Sequence, residues 1–171
     1  MNNFVPDMYF ENVFVIDYKK LRKIGIKCLL FDLDNTICSY EQNEPDKKIK
    51  ELFYELGKDF KLIIISNNKK DRVRPFKEKL NVDSSYSSMK PMKKKYIKIM
   101  NLYGFKDREI ACIGDQLITD IYGANRLGLT SILVNPISPN EPLKTRFNRM
   151  LEKKIIKKLS KKGIDVKGSE V

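Results

Sequence analysis

The chain has 171 residues, 42% of them hydrophobic and 33% charged, with a net charge of +12; that suits one soluble domain with a real core, and no run approaches the ~20 apolar residues that span a bilayer. Histidine is absent, which excludes Ser-His-Asp or Cys-His catalysis within the chain and any histidine-ligated metal. The three cysteines, Cys28, Cys38 and Cys112, are far apart and odd in number, which predicts reduced core thiols in a cytosol rather than a disulfide framework or zinc site, and residues 1–10, with an acid, a proline and no basic start, do not read as a signal peptide.

Strand and helix patterns then alternate along the chain. Residues 13–16 are a short apolar run. Residues 17–24 read as a helix, with Asp17 as N-cap and Gly25 as stop. Residues 26–33 are nearly continuously apolar, as in a central parallel strand covered on both faces. Apolar residues at helical spacing mark 46–56, which Gly57 closes. A second buried strand spans 60–65, followed by a helix over 71–80 in which Pro75 predicts a kink or a late start. A short strand is expected at 82–86 and a helix at 91–102, with Pro91 in its first turn. Strand 109–113, helix 118–127 and strand 130–134 follow. Three prolines lead to a last helix over 144–161, where Phe147, Leu151, Ile155 and Leu159 form an apolar spine.

This order predicts an α/β fold: a three-layer α/β/α sandwich around a parallel sheet with right-handed crossovers. Residues 1–162 form a single domain that includes the basic last helix, and 163–171 are expected to be a flexible tail. Ligands in such folds bind beyond the carboxyl ends of the strands. Three strand ends carry polar clusters: Asp32 and Asp34, then Ser66-Asn67-Asn68, then Gly114-Asp115.

Asp32, Asp34 and Asp115 are hard oxygen donors with no sulfur or imidazole nearby, which suits Mg²⁺. Ser66 and Asn67 offer hydroxyl, amide and backbone donors for a phosphate, and Lys90 adds a point cation. Without histidine, a carboxylate is the favoured nucleophile, giving an acyl-phosphate, and a second carboxylate two residues on can move the proton. Each cluster alone is equally a helix cap, a turn or a salt-bridge partner. Their recurrence at successive strand ends is what points to chemistry.

These residues resemble the haloacid-dehalogenase (HAD) superfamily of aspartate-nucleophile phosphatases. Asp32-Leu33-Asp34-Asn35-Thr36 is similar to its first motif, Ser66 to its second, Lys90-Pro91 to its third, and Gly114-Asp115-Gln116-Leu117-Ile118-Thr119-Asp120 to its fourth. Val5-Pro6-Asp7-Met8-Tyr9, Arg74-Pro75-Phe76 and Asn125-Arg126-Leu127-Gly128 are similar to the YqeG-type group of subfamily IIIA, which includes phosphatidylglycerophosphate phosphatases. The resemblance covers about residues 4–160. It implies Asp32 as nucleophile and magnesium ligand, and Asp34 as general acid/base that lends its backbone carbonyl to the metal. It implies Asp115 as the third metal ligand, Ser66, Asn67 and Lys90 around the phosphate, and Thr36 and Asp120 in support.

Only 33 residues separate Asp32 from Ser66 and 23 separate Ser66 from Lys90, so no cap domain fits in either gap. An open site favours large or surface-held substrates. From Lys144 to Lys162 nine Lys or Arg face one Glu, a net +8 of the chain's +12. Lys153, Lys157 and Lys161 lie opposite the apolar spine. The expected function is a Mg²⁺-dependent phosphomonoesterase, cytoplasmic and peripheral at the inner membrane face, acting on phosphatidylglycerophosphate. The alternatives are a soluble, protein or nucleic-acid-terminal phosphate as substrate, or a nucleic-acid-binding protein using the basic tail.

Overall fold

In the computed structural model, which describes residues 2–168, six parallel strands form one sheet. They are β1 (Met8–Phe10), β2 (Cys28–Phe31), β3 (Lys61–Ile65), β4 (Asp83–Ser85), β5 (Ile110–Gly114) and β6 (Thr130–Val134), in the spatial order β1-β6-β5-β2-β3-β4. Helices α1 (Tyr18–Lys23), α2 (Lys47–Leu56), α3 (Lys70–Leu80), α4 (Lys94–Tyr103), α5 (Tyr122–Asn125) and α6 (Leu143–Ser160) cover its faces. The predicted three-layer sandwich is the observed one. Only α2–β3 and α3–β4 fill the gaps around Ser66, so no cap is inserted.

Period-two alternation divides the core. Leu29, Phe31 and Ile64 point to one face, with Leu21 of α1, Ile49 and Phe53 of α2, and Val73 and Phe76 of α3. Cys28, Leu30, Ile63 and Ile65 point to the other, with Tyr96 and Ile99 of α4. Both faces of β2 are therefore dry, which is why its sequence is apolar without alternation. The helix starts follow their caps: Asp17 accepts from the Lys20 N–H and Asp46 from the Ile49 N–H. All three cysteines are buried and free.

The first strand is Met8–Phe10, a segment the sequence pattern did not single out as a strand; pairing with β6 (Tyr9 opposite Leu133) selects it. Three expectations need correction. Pro91 is not in the first turn of α4, which starts at Lys94; it sits instead in the tight turn before the helix, which the Met92 N–H closes onto the Met89 carbonyl at 2.8 Å. The spine of α6 reaches the core only at its end, where Leu159 is buried and Ile155 half-buried, whereas Phe147 is exposed. Residues 163–168 are not a free tail: Val166 is buried and Ile164 packs beside it on the cluster around Tyr9 and Leu133. The end of the expected tail, 169–171, lies outside the described residues. Pro75 sits inside α3, which runs on through it; its missing N–H leaves the Asp71 carbonyl, on an exposed residue, to water.

Strand register brings the polar ends together. Phe31 lies opposite Ile64 on β3 and Ile113 on β5. The residues that follow, Asp32, Ser66 and Asp115, therefore leave the same sheet edge, where chain order reverses between β2 and its two neighbours.

Candidate active site

Asp32 continues the ladder for one more bond, its N–H donating to the Ile113 carbonyl at 2.9 Å. Its carboxylate meets Lys90, whose Nζ donates to Asp32 Oδ1 at 2.5 Å and to Asp120 Oδ1 at 2.6 Å. All three groups are buried. Lys90 is thus the lysine that enters the site; its neighbours Lys93 and Lys95 are half-buried and Lys94 exposed. Asn67 fixes it there. The Asn67 amide donates to the Lys90 carbonyl (3.1 Å) and accepts from the Lys90 N–H (2.6 Å). The side chain of Asn67, expected at the phosphate, is therefore engaged with the Lys90 main chain. The Ser66 hydroxyl, also buried, accepts from the Asn68 N–H at 3.1 Å.

Asp120 comes from the single π-helical turn Leu117–Ile121 that precedes α5. That turn carries it back over β5, where its second oxygen accepts from the Gln116 N–H at 3.1 Å. Gly114 makes this approach possible. A Cβ there would lie 2.3 Å from the Asp120 carboxyl carbon. Thr36, in the turn after β2, donates to Asp115 Oδ1 at 3.3 Å.

Asp32, Asp115 and Asp120 present oxygens that all lie within 4.8 Å of one another. Such a cluster of buried carboxylates could hold a divalent cation. The side chain of Asp34 is not part of it: Arg72 of α3 binds its Oδ1 through Nε (3.0 Å) and Nη2 (2.6 Å), and Asn68 donates to its other oxygen. The electrostatics are uneven. Burial pushes the Asp32 carboxyl up to about 7 against the pull of Lys90. Burial would push Lys90 down, but Asp120 and Asp32 hold it well above the usual lysine range. Burial also raises Asp115 well above the carboxylate range, against the pull of Arg149. Metal-free, the site therefore keeps its lysine charged, while burial works against ionisation of Asp32 and Asp115.

Asp32, Asp34, Ser66, Asn67 and Lys90 line a cavity of about 180 Å³, whose lining is completed by residues that include Tyr40, Lys144, Thr145 and Asn148. A larger cleft of about 740 Å³ lies around the last turns of α2 and α3. Its lining carries one carboxylate, Glu51, so size does not mark the chemistry here.

The sequence profile of the family described as mitochondrial PGP phosphatase matches residues 1–138. The chain belongs to this family. The Bacillus subtilis (strain 168) protein YqeG, named as a probable phosphatase, is 36% identical over 161 residues, covering 94% of each chain. Phosphatidylglycerophosphate phosphatase 1 of Arabidopsis thaliana, chloroplastic/mitochondrial, is 23% identical over 176 residues, covering 94% of this chain and 49% of its own. A HAD family enzyme of Bacteroides thetaiotaomicron, solved as a magnesium complex, superposes with a TM-score of 0.54 at 14% identity over 67% of this chain and 96% of that one. The last likeness carries the fold alone. Together they make the chain a phosphatase with the HAD fold.

The matched PGP-phosphatase profile ends before α6, yet α6 supplies a residue that sequence reasoning did not single out. Arg149 donates through Nη1 to the Asp115 carbonyl (2.6 Å) and through Nη2 to the Asp115 carboxylate. Its remaining donors reach Glu141 (2.7 Å) and Glu152 (3.1 Å). Glu152 is buried and also accepts from the Ile118 N–H at 3.2 Å. Asn35, with positive φ in the first motif, ties the loop before α6 to the site, donating to the Ser138 carbonyl and to Glu141 at 3.0 Å each. One signal for this network was available: Glu152 is the only acid in the basic run and sits three residues after Arg149.

Proposed function

We propose that this phosphatase is a magnesium-dependent phosphomonoesterase that works through an aspartyl-phosphate on Asp32 and acts on phosphatidylglycerophosphate at a membrane surface. The observation that carries the reading is the convergence of the Asp32, Asp115 and Asp120 carboxylates beyond the strand ends, with buried Lys90 bonded to Asp32 and Asp120. The donors are hard oxygens, as magnesium requires. The carboxylates of Asp32 and Asp115 and the backbone carbonyl of Asp34 would hold the ion, and when bound it would neutralise charge on the phosphoryl group.

The protein's own groups divide the work. An Asp32 oxygen attacks phosphorus, the bond from phosphorus to the ester oxygen breaks, and Asp34 gives that oxygen its proton. Asp34 then takes a proton from water, whose oxygen attacks phosphorus, releasing inorganic phosphate and restoring the Asp32 carboxylate. Lys90 exchanges its contact with Asp32 for the phosphoryl oxygens. The Ser66 hydroxyl and the Asn67 backbone N–H join it there. Thr36 steadies Asp115, and Asp120 steadies Lys90.

Three observations support the lipid. The family description and the Arabidopsis relative's name concern this phosphate ester. The cavity is smaller than the ~300–1,000 Å³ of sites that bury whole ligands, so it takes the phosphate end and leaves a large alcohol outside. Exposed apolar side chains adjoin residues of its lining: Leu143 (81% exposed) and Phe147 (58%) beside Lys144 and Asn148, and Met89 beside Lys90. With Arg146 they suit contact with an anionic interface. Among the described residues no helix is long and apolar enough to cross a membrane, so the contact we propose is peripheral, from the cytoplasm.

Asp32→Asn is expected to abolish phosphate release while leaving the circular dichroism spectrum unchanged; full activity would remove Asp32 as nucleophile. Turnover in excess chelator would remove magnesium. Across phosphatidylglycerophosphate in mixed micelles, glycerol 3-phosphate, a phosphopeptide and a 5′-phosphorylated oligonucleotide, the lipid is expected to give the highest kcat/KM. A higher value for the peptide or oligonucleotide would move the assignment there.

A further inference from the structure

The cavity has two walls of different character. The inner wall carries Asp32, Asp34 and Lys90, and every acid of the wall and of the cluster bonded to it already has a cation: Lys90 for Asp32 and Asp120, Arg72 for Asp34, Arg149 for Asp115. The outer wall is the first turns of α6, which contribute Lys144, Thr145 and Asn148. This wall is fixed from several sides. The Thr145 hydroxyl lies 3.1 Å from that of Tyr40, and Asn148 donates to Gln116 at 3.2 Å. One turn further on, Arg149 binds Asp115 and Glu141. Lys144 differs from all the other cations of the site. It lines the cavity, is exposed, and forms no ion pair among the described residues.

A lysine in the lining of a phosphate site, exposed and without a carboxylate of its own among the described residues, is available to meet a charge on the substrate rather than one on the protein. The phosphate being transferred belongs to Lys90 and the inner wall. The charge left for Lys144 lies on the leaving alcohol.

We propose that Lys144, with Thr145 and Asn148, forms a leaving-group subsite that selects phosphomonoesters whose alcohol carries a second anionic group, such as a phosphodiester. This rests on the phosphatase reading above and narrows its substrate class. α6 then does part of the work that an inserted cap would do: it walls the site and reads the alcohol. The hydroxyl and amide supply neutral donors and Lys144 the charge, a pairing that tolerates variation in the alcohol while requiring the second anion.

The test compares two soluble esters with the same scissile end. One is glycerol 3-phosphate. The other is the same glycerol phosphomonoester carrying a glycerol phosphodiester on its far hydroxyl, with no acyl chains. Wild-type enzyme is expected to prefer the second by about tenfold or more in kcat/KM, the size of one charge-assisted contact, with most of the difference in KM. Lys144→Glu should lower that preference about tenfold and Lys144→Arg should keep most of it. Lys144 is exposed, so neither variant threatens folding.

A wild-type preference within about twofold would overturn the subsite. So would a preference unmoved by Lys144→Glu. If Lys144→Glu weakens turnover only of phosphatidylglycerophosphate in micelles and not of the soluble head group, Lys144 reads the membrane surface and the subsite falls. Release of phosphate from no ester at all would instead overturn the phosphatase reading, and this inference with it.

Discussion

Two arginines hold two acids of the site, and they do so in different company. Arg72 reaches Asp34 from α3 and gives its other donors to neutral acceptors, the backbone carbonyls of Gln42 and Ser39. Its charge is matched one to one. Arg149 reaches Asp115 from α6 and is shared among three carboxylates, those of Asp115, Glu141 and Glu152. There two carboxyl groups remain in excess of the guanidinium, close to Asp32 and Asp120. The difference teaches what each clamp is for. A balanced pair keeps Asp34 in one orientation. An underbalanced cluster leaves Asp115 with more acids than cations around it, where a divalent cation would add to Arg149 and favour the ionised acids.

The largest expected effect separates the two clamps. Arg149→Ala leaves fully buried Asp115 with only Thr36 and beside two repelling glutamates, and should cost about 3 kcal/mol in chelated protein. Arg72→Ala leaves Asp34 its bond from Asn68 and access to the cavity, and should cost about 1–2 kcal/mol. Urea denaturation measures both. Saturating magnesium should recover more stability in Arg149→Ala than in Arg72→Ala, since of the two acids only Asp115 brings its carboxylate to the candidate metal cluster. Equal costs and equal recovery would erase the distinction.

Asp32 sharpens the comparison from a third side, because its partner Lys90 is itself shared with Asp120. Its carboxyl stands at about 7 in the folded protein against an ordinary 3.8. Between those values the folded state binds the extra proton, so stability falls as pH rises from about 4 to about 7 and levels off above. The ceiling on the loss is about 4 kcal/mol. Thermal melts of chelated protein across that range measure the slope, and Asp32→Asn should flatten it. A melt curve that rises over the same window would mean that Lys90 alone balances Asp32.

The same contrast explains what could be seen in the sequence. Asp32, Ser66, Lys90 and Asp115 each end or follow a pattern that the chain states locally, a buried apolar strand or an X-Pro step. Parallel pairing then carried those local signals to one edge. Asp34 was legible as a site residue, but not its orientation toward Arg72, which lies on the far side of a loop and a helix. Asp120 was read as a support, and only the π-turn brings its oxygens into the carboxylate cluster. Arg149 and Glu141 were illegible for a physical reason. In a run of lysines an arginine looks solvated, and its burial depends on where Pro142 and the Asn35 contacts set α6 down. β1 went unassigned for a related reason: three residues at a sheet edge carry no period of their own, and only β6 selects them.

The smallest expected effect lies further along the helix that carries Arg149. Lys153, Lys157 and Lys161 are exposed and form no ion pair among the described residues. Replacing all three with Gln should change folding stability by no more than about 0.5 kcal/mol, because solvated charges contribute little to the folded state. The membrane reading makes the opposite demand of the same variant. Each lysine near an anionic surface contributes about 1 kcal/mol to binding, so retention on phosphatidylglycerol vesicles at low salt should fall by about a hundredfold or more. Hydrolysis of the soluble head group should fall far less than turnover on vesicles. An unchanged vesicle affinity would restrict α6 to its first turns, as a wall and a clamp for the site with a solvated lysine face beyond them.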